Sequence, residues 1–330
     1  MTQPRQAQYR TVTAFAPATV ANVACGFDVL GFALESPGDE VTARLVENVS
    51  GEHIVSIVSI TSDDGLPELN LPTNPLENTA GGAVLALLNA LTPEIGVVHI
   101  ELSIRKRMPA GSGMGSSAAS AAAAVLAVNA LFGNPKTPEE LVEFGMKGEA
   151  IASGSEHADN VAPAIMGGIV LVRGYNPVEV IRIPAPQGLY CTILRPHTEV
   201  STKEARGILP KEIPMKTAIT QWGNLAGLIA GLMKSDFGII SRSLTDVVAE
   251  PHRAALIPGF FAMKEAALQK GALGCSISGS GPSVFALSSS HIVAEHVGDA
   301  MLAALQAEGV QGTLYVSSIL NGGPRIVHAA

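Results

Sequence analysis

Charge and aromatic residues are scarce in this sequence: of 330 residues, 15% are charged and 4% are aromatic. Positive charge is the scarcer sign, with 21 Lys and Arg against 29 Asp and Glu and a net charge of -8. That balance argues against a nucleic-acid binder, which would show a basic face. An anionic ligand must instead be held by a few placed cations. Only three cysteines occur, Cys25, Cys191 and Cys275, far apart and without CxxC or Cys/His spacing. This excludes a disulfide framework and a zinc site, and fits small buried thiols in a reducing cytoplasm. Long apolar runs are also missing. The most apolar window, 118–132, is broken by Ser120 and Asn129 and falls short of the roughly 20 residues that span a bilayer. The polar start, Met1 to Arg10, lacks the apolar core of a signal peptide and is short for a transit peptide. No fixed-period repeat is present.

What is there is apolar and aliphatic: 47% of the chain is hydrophobic. A chain of this length exceeds the usual single core, so two domains are expected. Strands are expected over 11–16, 41–47, 53–60 and 97–104, with a loop over 61–75 and a helix over 77–91. The turn-like stretch Pro17-Ala-Thr-Val-Ala-Asn-Val-Ala-Cys-Gly-Phe-Asp28 follows the first strand. A helix over 116–132 precedes another that Thr137 caps, with Pro138 at its first position and Glu140 closing a capping box, running to about Ser153. Strands over 167–172 and 179–183 flank a Gly-Tyr-Asn-Pro turn, where the domain boundary is placed, giving domains 1–175 and 176–330. The second half reads as a strand over 189–194, helices over 202–209, 216–234, 239–248 and 259–270, strands over 275–278 and 283–288, a helix over 291–308, and a final strand over 313–318. The class is α+β.

The stretch most open to chemistry is Pro109-Ala-Gly-Ser-Gly-Met-Gly-Ser-Ser-Ala-Ala-Ser120. Its glycines expose backbone N–H groups, and the alanine-rich helix behind it contributes a positive dipole end, a combination that cradles phosphate. No Lys follows the last glycine, so it is not a common P-loop. G-x-G-x-G is not the dinucleotide fingerprint either. A tight turn beneath a closely packed helix is the competing reading. Ser116 and Ser117 favour phosphate, because a hydroxyl at a helix start can cap it and ligate a phosphate-bound Mg²⁺. Elsewhere, Asn22 and Asp28 on one turn can bond a hydroxyl and an ammonium group, or stabilise the turn itself. Arg206 and Arg253 could fork onto a carboxylate, or lie on the surface. Asn74 and Asn78 are candidates for adenine, with helix capping the competing role for Asn78.

The pattern P-x-G-x-G-[LM]-G-S-S-[AG]-A resembles the second motif of the GHMP kinases, with Met114 where Leu is usual. Three further stretches resemble the homoserine kinases among them. Pro17–Asp28 matches their P-A-T-S-A-N-L-G-x-G-F-D except at Val20, Val23 and Ala24. His157-Ala-Asp-Asn-Val-Ala-Pro-Ala164 matches H-A-D-N-[VA]-A-P-[AS], and Ser201-Thr-Lys-Glu-Ala-Arg206 with Glu250-Pro-His-Arg253 completes the set. Gly271 to Ser283 fits the third superfamily motif, expected to brace the phosphate loop from the second domain, or to serve as a purely structural turn.

The resemblance implies a two-domain fold, ribosomal-S5-domain-2-like then ferredoxin-like, with the site between. It implies ATP and Mg²⁺, L-homoserine as acceptor, no nucleic-acid or membrane partner, and a possible homodimer. ATP would be bound by Asn78 and by Pro109, Ala110, Gly111, Ser112, Gly113, Met114, Gly115, Ser116, Ser117, Ala118 and Ala119. Ser117 and Glu149 would hold the metal. Asn22, Asp28, His157, Arg206 and Arg253 would bind the amino acid, while Asn160, Thr202 and Ser117 serve catalysis. Asn160 stands where mevalonate kinase-like relatives have an aspartate base, which implies transfer by positioning and charge neutralisation, although His157 and Asp159 are adjacent titratable groups. Two alternatives are another superfamily kinase, for mevalonate or a sugar, and a non-enzymatic ligand sensor.

Overall fold

The computed structural model describes residues 5–63, 66, 70–154, 157–319 and 322–330. Residues 64, 65 and 67–69 of the expected loop, and 1–4 of the polar start, lie outside the described residues. In chain order the elements are β1 (Thr11–Ala21), β2 (Leu30–Asn48), β3 (Ile54–Ser62), α1 (Thr79–Ile95), β4 (Val98–Lys106), α2 (Ser116–Leu131), α3 (Pro138–Ser153), α4 (Val161–Met166), β5 (Ile169–Tyr175) and β6 (Val178–Ile183). They continue with β7 (Tyr190–Pro196), α5 (Thr202–Gly207), α6 (Met215–Lys234), α7 (Phe237–Ser243), α8 (Glu250–Arg253), a 3₁₀ turn over Ala254–Leu256, α9 (Phe260–Gln269), β8 (Gly274–Ile277), β9 (Val284–Ser288), α10 (His291–Ala307), β10 (Gly312–Ser318) and β11 (Arg325–Ala329).

The larger sheet runs β11-β1-β2-β4-β3, with β5 also on β2 and β6 on β5. Among the described residues only β3 and β4 pair in parallel, and α1 is the crossover that parallel pairing requires. Helix α2 lies against β1 and β2 and is enclosed by α1, α3 and α4. Its alanines are buried on all sides, as expected of a helix that is apolar around its whole circumference. The smaller sheet is antiparallel in the order β10-β7-β9-β8, the fourth, first, third and second of its strands, which is the ferredoxin-like order. Helices α9 and α10 pack on it over a second core centred on Phe260, Met263, Val297 and Met301. Phe32 and Phe285 meet edge to face at 6.0 Å and join the two units.

Several elements depart from the sequence expectation. β1 does not stop at Ala16: after a register shift between Pro17 and Thr19 it pairs with β2 as far as Ala21. Only 22–28 form the turn, with Asn22, Ala24 and Asp28 at φ of 57°, 46° and 58°. Ala24 thus takes a left-handed conformation that a Cβ disfavours, where the resembling motif has glycine. The helix expected over 239–248 is α7, earlier and shorter, because Asp236 caps it through Ile239 N at 2.9 Å. Short α4 and α8 carry too few residues to show a period. β6 continues the larger sheet past 175, and β11 returns to pair with β1, so the chain crosses between sheets over 184–189 and again before Arg325. Among the described residues, no helix is long and apolar enough to cross a membrane.

Candidate active site

A cavity of about 470 Å³ lies where the two units meet. One end is the loop that β4 feeds into α2. Gly111, Gly113 and Gly115 all have positive φ, and Gly115 is the N-cap residue. A Cβ on Gly113 would sit 2.7 Å from Gly281 O, and one on Gly115 would sit 2.0 Å from Thr19 Oγ1. Glycine is therefore required here both for conformation and for close approach. Because Gly115 is the N-cap, Ser116 does not cap the helix as expected. Its hydroxyl and that of Ser112 are buried and have no partner among the described residues. Two buried hydroxyls beside bare N–H groups at a helix start suit phosphate oxygens. Pro109, Met114, Ala118 and Ala119 are buried and do not line the cavity; they shape the loop from behind. The third-motif turn grips the loop: Ser278 Oγ donates to Gly113 O and Ser283 Oγ to Ser112 O, each at 2.6 Å. The expected brace across the two units is thus observed.

The other end is charged. Arg206 from α5 forms a bidentate pair with Asp28, Nη2 to Oδ1 at 2.9 Å and Nη1 to Oδ2 at 3.1 Å. Arg253 is buried, donates from Nε to Ala205 O (2.9 Å) and from Nη1 to Gly279 O (3.2 Å), and lies 4.9 Å over the Phe27 ring. Asn22, expected to face a ligand, is engaged at both ends of its amide. Its Oδ1 accepts from Asp28 N at 2.7 Å and its Nδ2 donates to Gly279 O at 2.8 Å. It still lines the cavity, and its bonds hold Asp28 in place. Thr202 is exposed and shares a hydrogen bond with Ser280 at 3.2 Å.

Between these ends stand Glu149, His157, Asp159 and Asn160. Burial pushes the Glu149 carboxyl up, while the Ser117 hydroxyl and the Lys106 charge act against it. Burial lowers His157; Asp28 opposes this, and Arg206 and Arg253 add to it, so the imidazole is neutral near pH 7. Burial first, and then the Asp28 carboxylate, push Asp159 up to about 7. Asn160 Oδ1 accepts from Thr19 Oγ1 at 2.7 Å.

One lining residue, Lys106, has no counterpart in the sequence reading. Lys106 is 2% exposed, forms an ion pair with buried Asp39, and donates to Ser116 O and Ser120 Oγ, each at 2.8 Å. It ties the first turn of α2 to β2 and lines the cavity. A buried lysine has no local sequence signature, since its partner is 67 residues away. Of the two roles open to Asn78, the capping one is seen: Oδ1 accepts from Ala80 N (3.0 Å) and Nδ2 donates to Pro72 O (2.9 Å), while the residue also lines the cavity. Asn74 accepts from Leu76 N within its own turn.

Residues 78–168 match the GHMP kinases N-terminal domain and 228–307 the GHMP kinases C-terminal domain. A homoserine kinase of Chlorobium phaeobacteroides is 53% identical over 323 residues, covering 96% of this chain and 100% of the relative. That of Chlorobaculum tepidum is also 53% identical, over 96% and 98%. A crystal structure of homoserine kinase from Cytophaga hutchinsonii superposes with a TM-score of 0.89 at 50% identity, covering 98% of this chain and 99% of that one. With both domain families matched in order and about half of its residues shared along the full length of such relatives, the chain belongs to the GHMP kinases, on their homoserine kinase branch.

Proposed function

We propose that the chain transfers the γ-phosphoryl group of ATP to the side-chain hydroxyl of L-homoserine, giving O-phospho-L-homoserine and ADP. One observation carries this reading beyond kinase chemistry in general. The cavity joins an anion cradle to a carboxylate and two guanidinium groups, the arrangement a zwitterion needs. Asp28 would take the ammonium group, and Arg206 and Arg253 the carboxylate, with neutral His157 beside them. Mevalonate has a carboxylate but no ammonium group for Asp28, and a sugar has neither.

The donor set fits Mg²⁺. Glu149 is a buried carboxyl that becomes easier to ionise beside a cation, and Ser117 adds a hydroxyl. Phosphate oxygens and water would complete the shell. When bound, the ion would neutralise charge on the phosphates. The loop N–H groups and the Ser112 and Ser116 hydroxyls hold the triphosphate, and Thr202 bonds near the transferred group. Asn160 orients the acceptor hydroxyl but cannot take its proton, so the proton leaves to the transferred phosphoryl oxygens or to water. A loose transition state tolerates this, and catalysis then rests on positioning. We place the enzyme in the cytoplasm, on three buried free thiols, and as a homodimer, on the resemblance alone. The test is ADP release from Mg-ATP with homoserine, mevalonate, galactose or no acceptor. Turnover is expected with homoserine alone, and equal turnover with mevalonate or galactose would overturn the assignment.

A further inference from the structure

We infer that Gln221 is a positioning residue that sets the carboxylate-binding wall of the amino-acid end without touching the substrate. The inference rests on the reading of Arg253 as a carboxylate-binding group. Gln221 lies on α6, is buried, and uses both ends of its amide across two parts of the chain. Its Nε2 donates to Cys25 O at 3.2 Å and to Asp246 Oδ1 at 2.9 Å, and its Oε1 accepts from Val247 N at 2.9 Å. Cys25 is in the turn that presents Phe27 and Asp28.

Asp246 is the second half of the device. Its buried carboxyl collects three backbone N–H groups besides Gln221: Val248 N at 2.8 Å on Oδ1, Glu250 N at 2.8 Å on Oδ2, and Ala249 N on both, at 3.1 Å to Oδ1 and 3.2 Å to Oδ2. These N–H groups open α8, and the last residue of α8 is Arg253. A helix of four residues has no stability of its own. Its direction is set by what grips its first residue: Asp246 bonds the Glu250 N–H, and the Glu250 carboxyl is held by Lys264 and by Ser276 Oγ at 2.6 Å. Arg253 in turn lies over Phe27. Gln221 thus links the turn carrying Asp28 to the segment that starts the helix carrying Arg253.

A buried amide contributes little net stability over an apolar residue of equal size, because its bonds replace bonds to water. What it adds at this junction is a defined geometry, and displacement of a binding group by about 1 Å can cost as much as a hundredfold in rate.

The test uses Gln221→Met and Asp246→Asn in the full chain. The first keeps volume, the second keeps shape, and thermal melts show that each is folded. We measure the KM for homoserine and for ATP, and the Ki of two competitors, 4-hydroxybutanoate, which has the carboxylate, and 3-aminopropan-1-ol, which lacks it. Both variants should raise the homoserine KM and the 4-hydroxybutanoate Ki about tenfold, leaving the ATP KM and the 3-aminopropan-1-ol Ki within about twofold. Equal rises in all four constants would mean a general structural defect and overturn the inference, as would no rise in a folded variant. Arg253→Met separates the two levels. If it leaves the homoserine KM unchanged, the reading of Arg253 fails. If it raises that KM while the Gln221 and Asp246 variants do not, only the positioning role fails.

Discussion

Asp159→Asn should make the protein more stable, and more so at alkaline pH. The Asp159 carboxyl is fully buried and faces the Asp28 carboxylate, and its hydrogen bonds come from the backbone N–H groups of Asn22 and of Asp159 itself. It is pushed up to about 7 from an ordinary value of 3.8. Between those values the folded chain keeps a proton that the unfolded chain has released. Stability therefore falls as pH rises through that window and levels off above about 7. The whole gap amounts to about 4 kcal/mol, of which about 2 kcal/mol lies between pH 5.5 and 8.5. Asparagine keeps the shape, keeps one acceptor oxygen for the N–H groups and has no charge to bury. Urea denaturation of both proteins at pH 5.5 and 8.5 should show the variant's advantage growing by about 2 kcal/mol at the higher pH. An advantage that is the same at both pH values would refute a buried carboxyl titrating near neutrality.

Other changes probe the remaining parts of the site. Lys106→Met or Asp39→Asn alone leaves a buried group without its partner and should cost about 3–5 kcal/mol by denaturant midpoint, whereas Lys106→Met with Asp39→Leu should recover most of it. Gly113→Ala forces a Cβ against Gly281 O and Ser278 O, and should raise the ATP KM by on the order of tenfold in steady-state kinetics. Ser117→Ala and Glu149→Ala should lower kcat and flatten the Mg²⁺ titration; an unchanged titration removes both from the metal shell. Asp28→Ala and Arg206→Ala should raise the homoserine KM far more than the ATP KM, and the reverse order would contradict the assignment of the charged end.

Sequence carried the local features well. The capping box of α3 is present as expected, because Thr137 and Glu140 interact across a single turn. The glycine loop and its α2 helix were legible for the same reason: glycine spacing and an alanine run are local signals. What escaped was decided at long range. β11 pairs with a strand more than 300 positions earlier, and Asp39 reaches Lys106 across two strands. Asn78 shows the limit of motif reading. Its position matched a ligand contact, yet an asparagine just before a helix satisfies an N–H first. Asn22 behaves alike: of its two readings, a bond to a substrate hydroxyl or to its own turn, the turn is the one seen, at Asp28 N. The charged residues themselves were legible, but their mutual geometry was not. Nothing in the spacing of Asp28 and Arg206 says that they pair across 178 residues.

The return of β11 to β1 has a consequence for synthesis. A ribosome releases the first unit's strands and helices early, but not the strand that completes its sheet. The whole ferredoxin-like unit must emerge before residues 325–329 can close the edge beside β1. Until then β1 presents open N–H and C=O groups to whatever strand is near. The nascent chain is thus most exposed to mispairing while its second half is still being made, and the last few residues act as the seal on the first.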